Sequence, residues 1–152
     1  MIITSKDNET IKKIRKLKDK KYRDANGKYI IEGVKLIKEA IEEKANIDTV
    51  VVCDNCLKTG EIEQHILYEI AKYNCVYVDE KVFNNITDVQ NPQGILAVIK
   101  KKSNDEDIKF DEDVIVVLDD IQDPGNLGTI LRTIDSARTF SSNYHKKKWR
   151  CI

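Results

Sequence analysis

Asn126 and Arg132 stand six residues apart in VIVVLDDIQDPGNLGTILRTIDSA (114–137), a stretch with the form of a ligand-binding crossover. The apolar run Val114 to Leu118 predicts a strand. It ends in an acidic loop, Pro124-Gly125 turns the chain, and Asn126 can cap a helix whose buried stripe is Leu127, Ile130, Leu131 and Ile134. Asn126, Thr129, Arg132 and Thr133 are left on the other side. Where the C-terminal edge of a parallel strand meets a helix N-terminus, free backbone N–H groups favour ligands, anions above all. The same residues fit a plain crossover helix with Arg132 on its surface, and the local pattern does not separate the two. No GxGxxG and no Lys-Ser/Thr follows these glycines, which excludes a dinucleotide fingerprint and a P-loop. Gly125-Asn-Leu-Gly128 matches the GXXG of KH domains, a pattern too common to carry weight.

Other reactive residue types are scattered. Cys53-Asp-Asn-Cys56 has CxxC spacing, but no second pair follows and His65 and Cys75 lie at unsuitable distances, so no metal is expected. His65 and His145 are isolated and no serine sits in a nucleophile elbow, so nothing points to covalent catalysis.

Charge supplies a second signal. The 152 residues carry 26 basic and 26 acidic side chains, yet residues 1–38 hold twelve of the former against five of the latter. Residues 39–137 reverse this, with nine against twenty-one. A basic arm on an acidic body suits a polyanion partner, because Lys and Arg neutralise phosphates and release their counterions; a solvated helix face would look alike. Lys12, Lys13, Lys16 and Lys20 are the candidate contacts. No apolar run reaches membrane-spanning length and the opening residues lack a signal-peptide core, so a cytoplasmic protein without a membrane partner is expected. With this much Ile and Val, the four cysteines are not needed as disulfide staples.

The elements that must position these groups follow from periodicity. Ile11, Ile14 and Leu17 predict a basic amphipathic helix over 8–20, capped by Thr4 or Asp7. Asn26-Gly27 marks a turn. Tyr29 to Glu32 predicts a strand running into a helix from Gly33 to about Lys44, and Ile47 to Val52 a second strand. Ile62, Ile66 and Ile70 predict a helix through Tyr73, followed by a strand at 75–78, a helical turn at 80–84 and a strand at 95–99. This alternation predicts an α/β fold with a mostly parallel sheet covered on both faces. Lys100 to Asp113 carries ten charges in fourteen positions, a linker by composition. The resulting organisation is a three-layer α/β domain over 1–100, a linker over 101–113, one βα unit over 114–137, and a tail over 138–152.

DDIQDPGNLGTILRTIDSA resembles the first motif of the SpoU-type (TrmH-like) RNA 2'-O-ribose methyltransferases of the SPOUT superfamily, whose signature Asn and Arg match Asn126 and Arg132. YIIEGVKLIKEAI (29–41) and NPQGILAVIK (91–100) resemble segments of that family's N-terminal substrate-binding domain. The resemblance implies that residues 1–100 bind structured RNA, rRNA or tRNA, and that 114–137 open a knotted SPOUT domain. It implies S-adenosylmethionine as cofactor and a homodimer for the intact family member, though not for this chain. Arg132 becomes the candidate catalytic group, holding a phosphate or stabilising the 2'-alkoxide, with Asn126 as a loop organiser. Glu32, in the family's Glu-Gly step, reads as a local structural acceptor. A non-catalytic RNA-binding module is the rival reading.

After Ala137 the chain departs from the family: RTFSSNYHKKKWRCI contains no acid. Read one base later, the degenerate codons of Asn143 to Cys151 allow Ile-Ile-Ile-Lys-Lys-Ser-Gly-Asp-Val, a buried strand and glycine loop such as should follow a crossover helix. The tail is therefore expected to be out of frame. The two further motifs that supply most of the cofactor pocket are missing, so this chain is expected to bind S-adenosylmethionine poorly and to be inactive alone.

Overall fold

The computed structural model describes residues 2–60, 62–101, 116 and 118–139. The chain divides into two units, 1–106 and 107–152. The expected linker lies, Lys101 apart, outside the described residues, and so does the tail beyond Thr139. Most of the strand expected at 114–118 is outside them too; Val116 and Leu118 are exposed and not in a strand.

The described residues of the first unit form five strands, β1 (Ile2–Ile3), β2 (Lys28–Glu32), β3 (Ile47–Cys53), β4 (Cys75–Val78) and β5 (Ile95–Lys100), in the order β1-β4-β3-β5-β2. β4 is parallel to β1 and β3, whereas β5 runs antiparallel to both β3 and β2. The sheet is thus evenly mixed, not mostly parallel. β2 and β3 do share a direction, as their βαβ spacing implies, but β5 is wedged between them in the opposite sense.

Two apolar layers form because side chains alternate across a pleated strand. On one face, Val51 and Cys53 of β3 and Leu96 and Val98 of β5 meet Ile11 and Ile14 of α1 (Glu9–Lys16) and Val82, Phe83 and Ile86 of α6 (Glu80–Ile86). On the other, Val50, Val52, Ile95, Ala97 and Ile99 meet Ile37 of α3 (Val34–Glu42) and Ile66 and Ile70 of α5 (Gln64–Ile70). Three layers result, as expected. The helix bounds differ from expectation at their ends: α3 stops at Glu42 and α5 at Ile70.

Two helices were not anticipated, α2 (Lys20–Asn26) and α4 (Asp54–Thr59). The expected 8–20 helix breaks after Lys16, and the cap of α1 is neither Thr4 nor Asp7 but Asn8, whose side chain accepts the Thr10 N–H at 2.9 Å. Asp19 opens α2 by accepting from Lys21, and Gly27, in the left-handed region at φ 57°, closes it. No described helix is long and apolar enough to cross a membrane. In the second unit one helix is described, α7 (Pro124–Thr139).

Candidate functional site

The basic arm sorts into two kinds of cation. Ile11, Ile14 and Leu17 bury one side of α1 and its continuation. Around that side the cations turn inward: Arg15 Nη1 donates to Asn85 Oδ1 at 3.0 Å, Lys18 Nζ donates to the Thr87 carbonyl at 2.7 Å and pairs with Asp88 at 3.0 Å, and Arg23 donates to the carbonyls of Leu17 and Lys18. These three hold the arm to α6 and close the turn into α2. Lys13, Lys16 and Lys20 face solvent and make no described ion pair, while Lys12 is half-buried beside Glu9 at 3.5 Å. Lys16 Nζ lies 5.4 Å from the Tyr22 ring centroid, a cation–π contact that leaves its charge exposed. Of the four lysines singled out by sequence, three are on α1 and the fourth opens α2 after the turn Leu17–Asp19.

The two upstream segments that carried the family resemblance are joined here. Gln93 Oε1 accepts the Val34 N–H at 3.0 Å, and the Gly33 N–H donates to the Ile95 carbonyl at 3.0 Å. Glu32 accepts the Thr87 hydroxyl at 2.6 Å, and the same hydroxyl oxygen accepts the Val89 N–H at 3.0 Å. Glu32 is thus a structural acceptor that fixes the loop after α6. Sequence reasoning missed Gln93 and Thr87, since neither residue type announces a partner so far along the chain.

In the second unit Asp123, not Asn126, caps the helix: its Oδ1 accepts the N–H groups of Gly125 and Asn126 at 2.6 and 3.0 Å. Pro124 then occupies the first helical position, where its missing N–H costs nothing. Leu127, Ile130, Leu131 and Ile134 are half-buried, and Asn126, Thr129, Arg132 and Thr133 are exposed, the division the spacing predicts. Asn126 and Arg132 are separated by about 9 Å along the axis and about 120° around it. Arg132 leans back along the helix, its Nη2 lying 3.7 Å from where a Cβ on Gly128 would stand, an ordinary contact distance.

These residues do not make a nucleoside pocket. The helix N-terminus is already satisfied by the Asp123 carboxylate, and the described residues from Leu118 to Asn126 are all exposed, leaving no apolar enclosure for an adenine ring. S-adenosylmethionine is therefore not a fit for the described part of this chain.

Residues 8–97 match the family model for the MRM3-like substrate-binding domain. The chain belongs to that family. Among its relatives, the 23S rRNA (guanosine(2553)-2'-O)-methyltransferase RlmP of Bacillus subtilis is 32% identical over 135 residues, spanning 89% of this chain and 50% of RlmP. A crystal structure of an RNA 2'-O ribose methyltransferase superposes with a TM-score of 0.67 at 27% identity, covering 90% of this chain and 52% of that one. An AdoMet-bound rRNA methyltransferase from Sinorhizobium meliloti gives 0.54 at 27% identity, over 67% of this chain and 37% of its own. The chain of the MRM3-like domain described here thus spans about half the length of RlmP, and less of the Sinorhizobium enzyme.

Proposed function

We propose that this chain is the RNA-recognising domain, with the opening segment of the catalytic domain, of an S-adenosylmethionine-dependent rRNA or tRNA 2'-O-methyltransferase of the cytoplasm. The observation that carries the reading is the solvent-facing set Lys13, Lys16 and Lys20 on a domain of the MRM3-like family, beside inward-turned Arg15, Lys18 and Arg23. Lys13 and Lys16 are paired with no described acid and Lys20 acts on Asp24 only through its charge, so these cations can exchange counterions for RNA phosphates. Lys12 joins them once Glu9 releases it.

Transfer to a 2'-hydroxyl requires the hydroxyl to be oriented and its developing negative charge to be met. Arg132 suits that role, because its exposed planar guanidinium can grip a phosphate and the neighbouring 2'-oxygen together. Asn126 is proposed to organise the adjoining loop in the intact protein, whereas the turn into the helix is held by Asp123. The cofactor supplies the methyl group in the intact protein, where a homodimer is also proposed. The out-of-frame reading of 138–152 belongs to the same proposal, and the nucleotide sequence beyond codon 137 tests it directly.

The deciding experiment is RNA binding over a salt series by the native chain and by a variant with Lys12, Lys13, Lys16 and Lys20 reversed to Glu. The reading requires weaker binding and a flatter salt dependence in the variant. Unchanged affinity and slope would sink it. Calorimetric titration with S-adenosylmethionine separates the enzyme reading from the rival, a non-catalytic RNA-binding module. In a frame-restored protein, heat of binding supports the enzyme and silence supports the module.

A further inference from the structure

Lysines on a helix can hold a phosphate chain, yet they read nothing of its bases. A groove of about 790 Å³ opens on the first unit where β3 ends and α6 begins. Cys53, Phe83 and Gly94 line it and are buried. The rest of its lining includes the carboxamides of Asn55, Asn84, Gln90 and Asn91. All four side chains are exposed, and those of Asn84, Gln90 and Asn91 bond to no described residue, while Asn55 reaches Glu80 at 3.5 Å.

This lining selects against phosphate and for a base edge. No Lys or Arg is part of it, whereas Glu80 and Asp88 are, so a phosphate would meet repulsion. The neighbouring cation, Lys18, is already held by Asp88 and the Thr87 carbonyl. A carboxamide offers a donor pair beside an acceptor, the pattern that unpaired nucleobases display on their edges, and a carboxylate accepts from their amino groups. Val89, 48% exposed, and Pro92 add apolar surface for a ring face. The volume lies within the range of small-ligand sites. The element α6 serves both surfaces: Asn85 takes Arg15 of the basic helix, and its neighbour Asn84 lines the groove.

We propose that this groove receives one unpaired nucleobase of the RNA whose phosphates lie on α1, an inference that rests on the RNA-binding reading above. The phosphate contacts then set affinity and the carboxamides set base dependence, two properties that can be changed separately.

The test uses the full 152-residue chain and two fluorescent probes of about twelve nucleotides, a mixed-sequence single-stranded RNA and an abasic ribose-phosphate strand of equal length. The native chain should bind the base-bearing strand at least about fivefold more tightly. Asn84→Ala with Asn91→Ala should bind both strands alike, with the salt slope of the native chain. Gln90→Ala alone gives a milder form of the same loss, and circular dichroism checks that both variants fold. If the native chain binds both strands equally and with steep salt dependence, RNA binding stands and the groove proposal falls. Retention of the base preference by the double variant overturns it as well. If the native chain binds neither strand even at low salt, the groove proposal falls, while the RNA reading is decided by the lysine-reversal salt series above.

Discussion

Gln93 Oε1 accepts the backbone N–H of Val34 at 3.0 Å across 59 residues of sequence. The bond satisfies a first-turn donor of α3 that no local residue reaches, because Gly33 at the cap position has no side chain to offer. Gln93→Ala should lower stability by about 0.5–2 kcal/mol, the usual effect of a lost cap. Gln93→Glu keeps an acceptor and should lose much less. Urea denaturation of the two variants checks this, and faster hydrogen exchange at Val34 in Gln93→Ala alone would locate the effect.

Gly94 and Gly27 both adopt positive φ, at 71° and 57°, but only one is crowded. A Cβ on Gly94 would overlap Cys56 Sγ and stand 3.3 Å from the Cys53 Cβ, while one on Gly27 meets nothing within 4 Å. Gly27→Ala should therefore cost about 1 kcal/mol for the left-handed backbone alone. Gly94→Ala should add overpacking and exceed about 2 kcal/mol. Equal melting temperatures for the two variants would contradict the close approach seen at Gly94.

Asp48 of β3 binds Lys28 of β2 at 2.8 Å and Lys100 of β5 at 3.0 Å, tying three strands together. Burial alone would raise its carboxyl, but the hydrogen bonds and charges of the two lysines outweigh it and hold it below the ordinary 3.8. A carboxyl depressed in the folded state contributes stability that is fully present above its unfolded value and is lost as pH falls through the folded one. Stability should thus fall with acid more steeply in the native chain than in Asp48→Asn, the native chain's advantage being largest above about pH 4 and disappearing as the pH drops below it. Parallel curves would show that the triad contributes nothing.

Lys16 and Lys18 are two residues apart and should behave oppositely. Lys16→Ala should leave melting nearly unchanged and reduce the salt slope of RNA binding by about 0.7, as one lost phosphate contact to a single strand requires. Lys18→Ala removes the clasp on Thr87 and Asp88 and should show itself first as lost stability. A thermal melt and a salt titration on each variant suffice.

Arg132 is exposed and opposite the half-buried stripe, so Arg132→Ala should not shift the melting temperature. In a frame-restored protein the same change should cut methyl transfer by orders of magnitude, and Arg132→Lys should not rescue it, because an ammonium lacks the planar fork. A large melting shift with normal turnover would make the residue structural.

Periodic apolar spacing made most of this fold readable, since β3, β5 and the stripes of α1, α3 and α5 all bury what their spacing says they should. α2 escaped because none of KKYRDAN is buried; Asp19 and Gly27 fix its ends and no apolar face betrays it. α4 follows β3 with no intervening loop and is too short to show a period. Strand direction was misjudged for a different reason: alternation of strands and helices records neighbours along the chain, and the wedge of β5 between β2 and β3 is set by pairing between distant segments. At the site, Asp123 before Pro124 was a legible cap signal that Asn126 obscured. Gln93 and Thr87 act through partners more than fifty residues away, which no local pattern records.

The wedged position of β5 also governs when the domain can form during synthesis. Both strands that flank β5 are made before it, and among the described residues β2 has no other strand partner. Until Lys100 has cleared the ribosome, β2 and one edge of β3 wait with open backbone groups. At about 5–20 residues per second that interval lasts several seconds. During it, Val50, Val51 and Val52 form an apolar ridge beside an unfilled slot, the kind of surface that nascent-chain chaperones cover. The last described strand of the first unit is the one that closes it, so a chain halted before residue 95 would carry every described helix of that unit and still lack its central joint.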